Sequence, residues 1–143
     1  MALPKGPVST ASETEAVLFE LVDVYDRAYE VAAAELSLSP AQACVLGRLD
    51  ESCGMGALAE AVGCDASNIT QIVMRLEALG LVSREPNPRD RRGRIVARTT
   101  HGDEVNKQFE DSFAFARSAV GRLSAQEQAQ LTGLLRKALG DLR

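Results

Sequence analysis

The chain has 143 residues, of which 45% are hydrophobic, 25% are charged and 4% are aromatic, and its net charge is −4. This length and composition fit one soluble domain and exclude a largely disordered chain, because enough apolar side chains are present to form a core. Since tryptophan is absent and the other aromatic residues are few, the core must consist mainly of Leu, Val, Ile and Ala, which favours helices packed on helices.

Several classes of protein are excluded by what the sequence lacks. No run of about 18 apolar residues predicts a membrane span, and the first ten residues lack the apolar block of a signal peptide, so we expect a cytoplasmic protein. The cysteines Cys44, Cys53 and Cys64 form no CxxC motif, and His101 is the single histidine. We therefore expect no disulfide scaffold, no metal site and no cofactor. No nucleophile–base set or phosphate loop can be assembled, which argues against an enzyme.

The net charge hides a strong asymmetry along the chain. Residues 1–74 have a balance of −8, residues 75–98 a balance of +4, and residues 99–143 are neutral. A basic segment in an acidic chain predicts a local site for a polyanion, although a solvated arginine loop is the alternative.

The first predicted elements are helices. After a flexible arm over residues 1–10, apolar residues recur at spacings of three and four from Ser12 to Glu35, which predicts a long amphipathic helix. The capping box of Ser39 and Gln42, with proline at the first helical position, begins a second helix that runs to about Asp50.

A helix-turn-helix is predicted next. Gly54-Met55-Gly56 is a break or a very short strand. The third helix, Ala57–Val62, ends at Gly63, and the fourth, Ala66–Leu79, is capped by Asp65 and stopped by Gly80.

The remaining elements are a hairpin and two helices. Strands are expected at Leu81–Arg84 and Arg94–Arg98, joined by a long irregular tip over residues 85–93. A fifth helix begins after Thr99 and continues to Leu123, and a last helix follows the capping box of Ser124 and Glu127.

The predicted fold class is mainly α with a small β-hairpin wing. We expect a single domain over residues 1–143, with a winged helix-turn-helix at 37–100. The flanking helices, at 11–36 and 101–143, carry more apolar surface than this small centre can cover. They are therefore expected to mediate dimerisation.

The fourth predicted helix has one apolar face and one face of short polar groups. The inward arc of about 120° comprises Ile69, Ile72, Val73, Leu76 and Leu79. The outward residues are Ser67, Thr70, Gln71, Met74 and Ala78, with Arg75 at the flank and Asn68 near the boundary. Short donors and acceptors let a helix enter a DNA groove about 12 Å wide. The alternative, local capping of the backbone, explains Thr70 and Gln71 poorly.

The predicted wing carries six arginines, and guanidinium groups suit phosphates and narrow minor grooves. They are Arg84, Arg89, Arg91, Arg92, Arg94 and Arg98. Asp90 and Arg92 are two residues apart and share a face of an extended strand. Asp90 is therefore expected to orient the Arg92 side chain, the alternative being that it caps the turn.

The sequence resembles the MarR family of bacterial transcriptional regulators over about residues 14–140. The resemblance rests on the combined spacing of short segments: Leu38-Ser39-Pro40-Ala41-Gln42, Leu58-Ala59-Glu60-Ala61-Val62, Ser67-Asn68-Ile69-Thr70, Arg75-Leu76-Glu77, Gly80-Leu81-Val82-Ser83-Arg84, Asp90-Arg91-Arg92, Val96 and Thr99-Thr100-His101-Gly102. It implies a homodimer with interlocking terminal helices, the fourth helix in the major groove and the wing in the flanking minor groove.

By the same resemblance, Ser67, Thr70 and Arg75 contact the groove or phosphates, and Arg92, braced by Asp90, enters the minor groove. The full predicted DNA-binding set is Ser67, Asn68, Thr70, Gln71, Arg75, Arg84, Arg89, Asp90, Arg91, Arg92 and Arg94. The sequence departs from the family at two positions. Gln71 stands where many relatives have arginine, and Arg98 replaces a common leucine.

The predicted function is a dimeric repressor of a pseudo-palindromic operator, released by a small aromatic or carboxylate effector. Tyr25 and Tyr29 are candidates either for lining the effector pocket or for dimer packing. One alternative is a protein-interaction module that does not bind DNA. Another is a regulator that senses thiol oxidation at Cys53 or Cys64, whereas Cys44 is expected in the core.

Overall fold

The structure is a computed structural model that describes residues 9–140 and residue 142. Most of the predicted arm, residues 1–8, lies outside the described residues. The elements in chain order are α1 (Glu13–Glu35), α2 (Pro40–Gly47), β1 (Cys53–Gly54), α3 (Met55–Val62), α4 (Ala66–Ala78), β2 (Val82–Asn87), β3 (Asp90–Arg98), α5 (Thr100–Ser112), α6 (Phe115–Val120) and α7 (Ala125–Gly140). The predicted mainly helical fold with a small hairpin is confirmed.

Four predicted helix starts are confirmed, because the capping side chain of each accepts a backbone N–H from the first turn. The capping residues are Ser39, Asp65, Thr99 and Ser124. The helix ends at Gly63 and Gly80 are also as predicted. Both glycines have a left-handed backbone, with φ of 72° and 74°, which a side chain would disfavour.

The prediction of one continuous fifth helix is wrong. The helix breaks at Phe113, where ψ is 80°, and α6 begins at Phe115. Both rings pack edge-on against Tyr25, with centroids 5.4 Å away. Residues two apart on a continuous helix do not face the same neighbour, so the break allows both rings to contact α1.

Two other predicted helix bounds also differ. The second helix ends at Gly47 instead of near Asp50. The carbonyl of Leu46 accepts a hydrogen bond from the Arg98 side chain, a contact that a sequence pattern does not reveal. The third helix begins at Met55 instead of Ala57, directly after β1.

The three strands form an antiparallel sheet in the order β1-β3-β2. The prediction of a long irregular tip is wrong. β2 continues to Asn87 and β3 begins at Asp90, which leaves a two-residue turn between them. Proline is tolerated at position 86 because β2 is an edge strand. The register shifts after Pro86, so residues 91–93 form a bulge on β3.

The core lies between α2, α3, α4 and the base of the sheet. From α4 it takes Ile69, Val73 and Leu76, which are almost completely buried. Leu79 was predicted to face inward, but it is 51% exposed. The chain reverses at Gly80, and the next residue, Leu81, is buried in the core instead.

The start of α5 is joined to the turn after α4. The Thr99 hydroxyl donates to the carbonyl of Gly80 at 2.6 Å, and the Thr99 N–H donates to the carbonyl of Leu81 at 3.1 Å. A Cβ at Gly102 would collide with the same Leu81 carbonyl. This close approach connects the end of the wing to the end of α4.

The long outer helices leave much apolar surface uncovered. The large exposed apolar residues of α1, α6 and α7 include Val17, Leu18, Leu21, Val24, Val31, Val120, Leu134, Leu135 and Leu139. Among the described residues, α6 and α7 contribute no buried side chain. No described helix is long and apolar enough to cross a membrane.

Candidate nucleic-acid interface

The outward face of α4 is exposed as predicted. It presents five polar or charged side chains, namely Ser67, Asn68, Thr70, Gln71 and Arg75. Met74 lies among them and is 52% exposed. An exposed helix surface of this kind offers amide, hydroxyl, guanidinium and methyl groups to a partner.

Two hydroxyls on this face are already hydrogen-bonded within α4 and its cap. Ser67 Oγ donates to Asp65 Oδ1 at 2.8 Å, and Thr70 Oγ1 donates to the carbonyl of Ala66 at 2.7 Å. Local bonding, which was expected to explain Thr70 poorly, is therefore present at this residue. What these side chains still offer outward is their oxygen lone pairs and the Thr70 methyl group.

The carboxylate of Asp65 caps the start of α4. Hydrogen bonds from the Asn68 N–H and the Ser67 hydroxyl hold the pKa of Asp65 below its usual value. The charged form is thus favoured at the positive end of the helix dipole, and it orders the first turn of the exposed face.

Four of the six wing arginines are exposed at or near the tip, and two are ion-paired at the base. Arg89, Arg91, Arg92 and Arg94 are the exposed group. Arg84, predicted as a DNA contact, forms an ion pair at 2.8 Å with Glu77 of α4. The tip arginines therefore carry the positive charge that remains available to a partner.

Asp90 does not act through the Arg92 side chain. Its Oδ1 accepts the backbone N–H of Arg92 at 3.0 Å, and Asn87 Oδ1 accepts the N–H of Arg89 at 2.9 Å. These are Asx-type bonds that stabilise turns. The expectation that Asp90 orients the guanidinium is corrected to the alternative, a cap of the tip.

Arg98, whose role the sequence left open, links the wing to two helices. Its guanidinium lies 2.9 Å from Asp50, 2.8 Å from Asp103 and 3.0 Å from the Leu46 carbonyl oxygen. The side chain is only 12% exposed. The one signal for this role in the sequence was a charged residue at a position where leucine is common.

The candidate pocket tyrosines lie in an aromatic cluster. Tyr25 and Tyr29 pack with each other and with Phe109, Phe113 and Phe115, at centroid distances of 4.8–6.0 Å. Burial, assisted by the neighbouring Cys44 and Tyr25, raises the pKa of Tyr29 to about 12. Neither tyrosine lines either of the two surface grooves described along α1.

The three thiols are all partly buried. Cys44 was expected in the core but is only half-buried, whereas Cys53 and Cys64 pack against the core. Burial raises the pKa of Cys53, which lowers the thiolate fraction that oxidation requires.

Known proteins share both the local sequence and the overall fold. Residues 38–93 match the model of the MarR family. The transcriptional regulator HosA of Escherichia coli O111:H- is 31% identical over 90 residues, which span 58% of this chain and 62% of HosA. The crystal structure of wild-type MarR from E. coli in its apo form is 27% identical and superposes with a TM-score of 0.76, covering 92% of this chain and 99% of MarR.

A second MarR structure contains DNA. A mutant MarR from E. coli complexed with operator DNA is 28% identical, with a TM-score of 0.69 over 87% of this chain and 92% of that one. The fold and the exposed surface define a winged helix-turn-helix protein. Its central segment, residues 38–93, matches the MarR family model, and the fold of solved MarR proteins extends over about nine-tenths of the chain.

Proposed function

We propose that this protein is a transcriptional regulator that binds operator DNA, with α4 in the major groove and the wing in the flanking minor groove. The observation that carries the proposal is the pairing of two exposed surfaces. The polar face of α4 and the arginine tip of the wing belong to elements joined at their base by the Glu77–Arg84 ion pair. A structural relative has been crystallised in complex with operator DNA, which supports DNA binding by this fold.

Each surface has a separate role in this proposal. On α4, the amides of Asn68 and Gln71 read base edges, while Ser67 and Thr70 contribute lone pairs and a methyl group. Arg75 contacts the groove or a phosphate. On the wing, the exposed guanidinium groups of Arg89, Arg91, Arg92 and Arg94 bind phosphates or the narrow minor groove. Asp90 shapes the tip that presents them.

The regulator is proposed to act as a homodimer formed by the outer helices. The exposed apolar residues of α1, α6 and α7 are more numerous than a monomeric protein usually exposes. Packing of two copies through these helices would bury them. A twofold pair would place two α4 helices on half-sites about one helical turn apart. We expect Leu135→Glu to yield monomers in sedimentation experiments, with Gln130→Glu on the same helix remaining dimeric. A dimeric Leu135→Glu variant would argue against this interface.

The central experiment is selection of duplexes from a randomised DNA library, followed by titration at several salt concentrations. If each protomer neutralises about four phosphates, the logarithm of the binding constant falls with log salt at a slope of about −7. Selection of no duplex, or binding that is insensitive to salt between about 50 and 200 mM, would contradict DNA binding. The protein-interaction module would then be favoured.

Release of DNA is proposed to follow from binding of a small carboxylate, so that the protein acts as a repressor. A groove of about 460 Å³ beside α1 is lined by the apolar residues Val24, Ala28 and Val31 and by one basic and one acidic residue, Arg27 and Glu35. The apolar walls and the Arg27 guanidinium suit an aromatic or aliphatic acid whose carboxylate lies at the Arg27 end of the groove, about two helical turns from Glu35. We expect benzoate-type acids to dissociate the selected duplex, and Arg27→Gln to remove this effect. Dissociation that is unchanged in Arg27→Gln would place the effector elsewhere.

A further inference from the structure

We propose that Arg98 is a positioning residue that fixes the angle of the wing, so that its tip and α4 reach adjacent grooves together. The proposal rests on the proposed DNA binding and assigns a task to a side chain that touches no DNA. Its evidence is a three-way hydrogen-bonded junction at the base of the wing, at the opposite end of β3 from the tip.

The junction joins one strand to three separate segments. Arg98 ends β3, and its Nη1 donates to the carbonyl of Leu46 in the last turn of α2. Nη2 donates to Asp50 in the connection after α2, and Nε donates to Asp103 in the first turn of α5. The cation therefore lies at the negative end of one helix dipole, and its acidic partner at the positive end of another.

The position of Arg98 gives the junction control over the whole wing. β3 is the central strand of the sheet, so both other strands move with it. At a rise of about 3.3 Å per residue, β3 places its far end at most about 26 Å away, so a tilt of about 5° at the junction moves the tip by up to about 2 Å. Because the minor groove is about 6 Å wide, such a displacement would misplace the tip arginines.

The guanidinium group is suited to this task because its hydrogen bonds are directional. A planar fork with donors on three nitrogens fixes an orientation, whereas an apolar side chain at the same position would pack without a defined angle. Arg98 is 12% exposed, while Asp50 and Asp103 are 82% and 62% exposed. Two surface carboxylates and the C-terminal end of α2 thus hold the largely buried guanidinium group of Arg98.

The same structure connects the junction to α4. α2, which receives the Leu46 hydrogen bond, packs directly against α4, and the Ile69 side of α4 is buried in the common core. Fixing β3 to α2 therefore fixes the wing relative to the helix proposed to enter the major groove. The Glu77–Arg84 pair is a second, more exposed link between the same two units.

The first test uses the free protein and needs no DNA. Arg98→Met keeps an apolar chain of similar length but removes the three hydrogen bonds, and Arg98→Lys retains only the charge. We expect amide hydrogen exchange across residues 82–98 to be at least about tenfold faster in Arg98→Met, with exchange in α7 changed much less. Asp111→Asn, which breaks the exposed Lys107–Asp111 pair of α5, is the matched control and should leave the wing unchanged.

The second test is a double-mutant cycle on a duplex selected by the wild-type protein. Arg98→Met should weaken binding by about tenfold in the wild-type background but by less than about threefold in the Arg92→Ala background. The reason is that Arg92→Ala already lacks the tip contact that Arg98→Met would misplace. Arg98→Lys should recover only part of the affinity, since it lacks the fork.

The outcomes separate this inference from the proposed function. Equal effects of Arg98→Met in both backgrounds, or wing exchange that matches the wild type, would overturn the positioning role. If the wild-type protein selects no duplex, DNA binding itself is refuted. Hydrogen exchange then decides alone whether Arg98 holds the wing.

Discussion

Glu77 Oε2 on α4 lies 2.8 Å from both Nε and Nη2 of Arg84 on β2. Both side chains are a little over one-third exposed, so the pair is worth no more than about 1 kcal/mol of stability. Its effect on charge is larger, because it neutralises an arginine beside the proposed DNA interface.

Glu77→Gln is therefore expected to strengthen binding to non-specific duplexes. The variant removes a negative charge beside the proposed interface and frees the guanidinium of Arg84. The slope of log affinity against log salt should steepen by about one for each protomer. Fluorescence anisotropy with a random-sequence duplex measures this slope. Glu104→Gln on α5 changes the net charge equally and serves as the control, and equal slopes in both variants would refute the prediction.

How far the sequence predicts this structure depends on the range of the interactions. Helix starts such as Ser39 and Asp65 were predictable because a cap and its N–H lie three residues apart. The Arg98 junction was not, because its partners on the α2 side lie 48 and 52 residues away. The α5–α6 break likewise depends on contacts with α1. The predicted inward orientation of Leu79 was wrong, because helical periodicity alone does not indicate that the chain reverses at Gly80.

The hydroxyl of Thr70 provides a test of groove contact on α4. Thr70→Val keeps the branched shape and the methyl group but removes the oxygen. We expect affinity to fall by a few-fold and the preference at one base position to relax. Thr132→Val on α7 is a matched control, because Thr132 makes the same bond to the carbonyl four residues earlier. A uniform loss across all duplexes would instead mark Thr70 as a backbone contact.

The cap of α4 should make stability depend on acid pH. The pKa of Asp65 is lowered in the folded protein, so its contribution is present above the unfolded value of about 3.9 and is lost as the pH falls through the lower folded pKa. Asp65→Ala should thus lower the Tm at pH 7, and the difference should narrow in acid. Ser39→Ala removes a cap that does not titrate, so its effect should not vary with pH. A constant difference for Asp65→Ala would contradict this assignment.

Ionisation of Tyr29 should lower the stability of the folded protein at alkaline pH. Its folded pKa of about 12 lies above the unfolded value of about 10, so its contribution to stability is complete below pH 10 and is lost as the pH rises towards 12. Absorbance at the phenolate band should show a late ionisation that Tyr29→Phe lacks. Urea unfolding of this variant should depend less on pH over the same interval. Ionisation of Tyr29 near pH 10 would show that the aromatic cluster is open to water.

The most direct test of the proposed DNA-binding mode is a hydroxyl-radical footprint on a selected duplex, measured with the wild-type protein, Arg92→Ala and Lys107→Ala. The wild type should protect two half-sites about one helical turn apart, together with their minor-groove flanks. Arg92→Ala should lose the flank protection and about tenfold in affinity, while Lys107→Ala, with the same loss of charge on α5, should match the wild type. Flank protection and affinity that are unchanged in Arg92→Ala would contradict the proposed role of the wing.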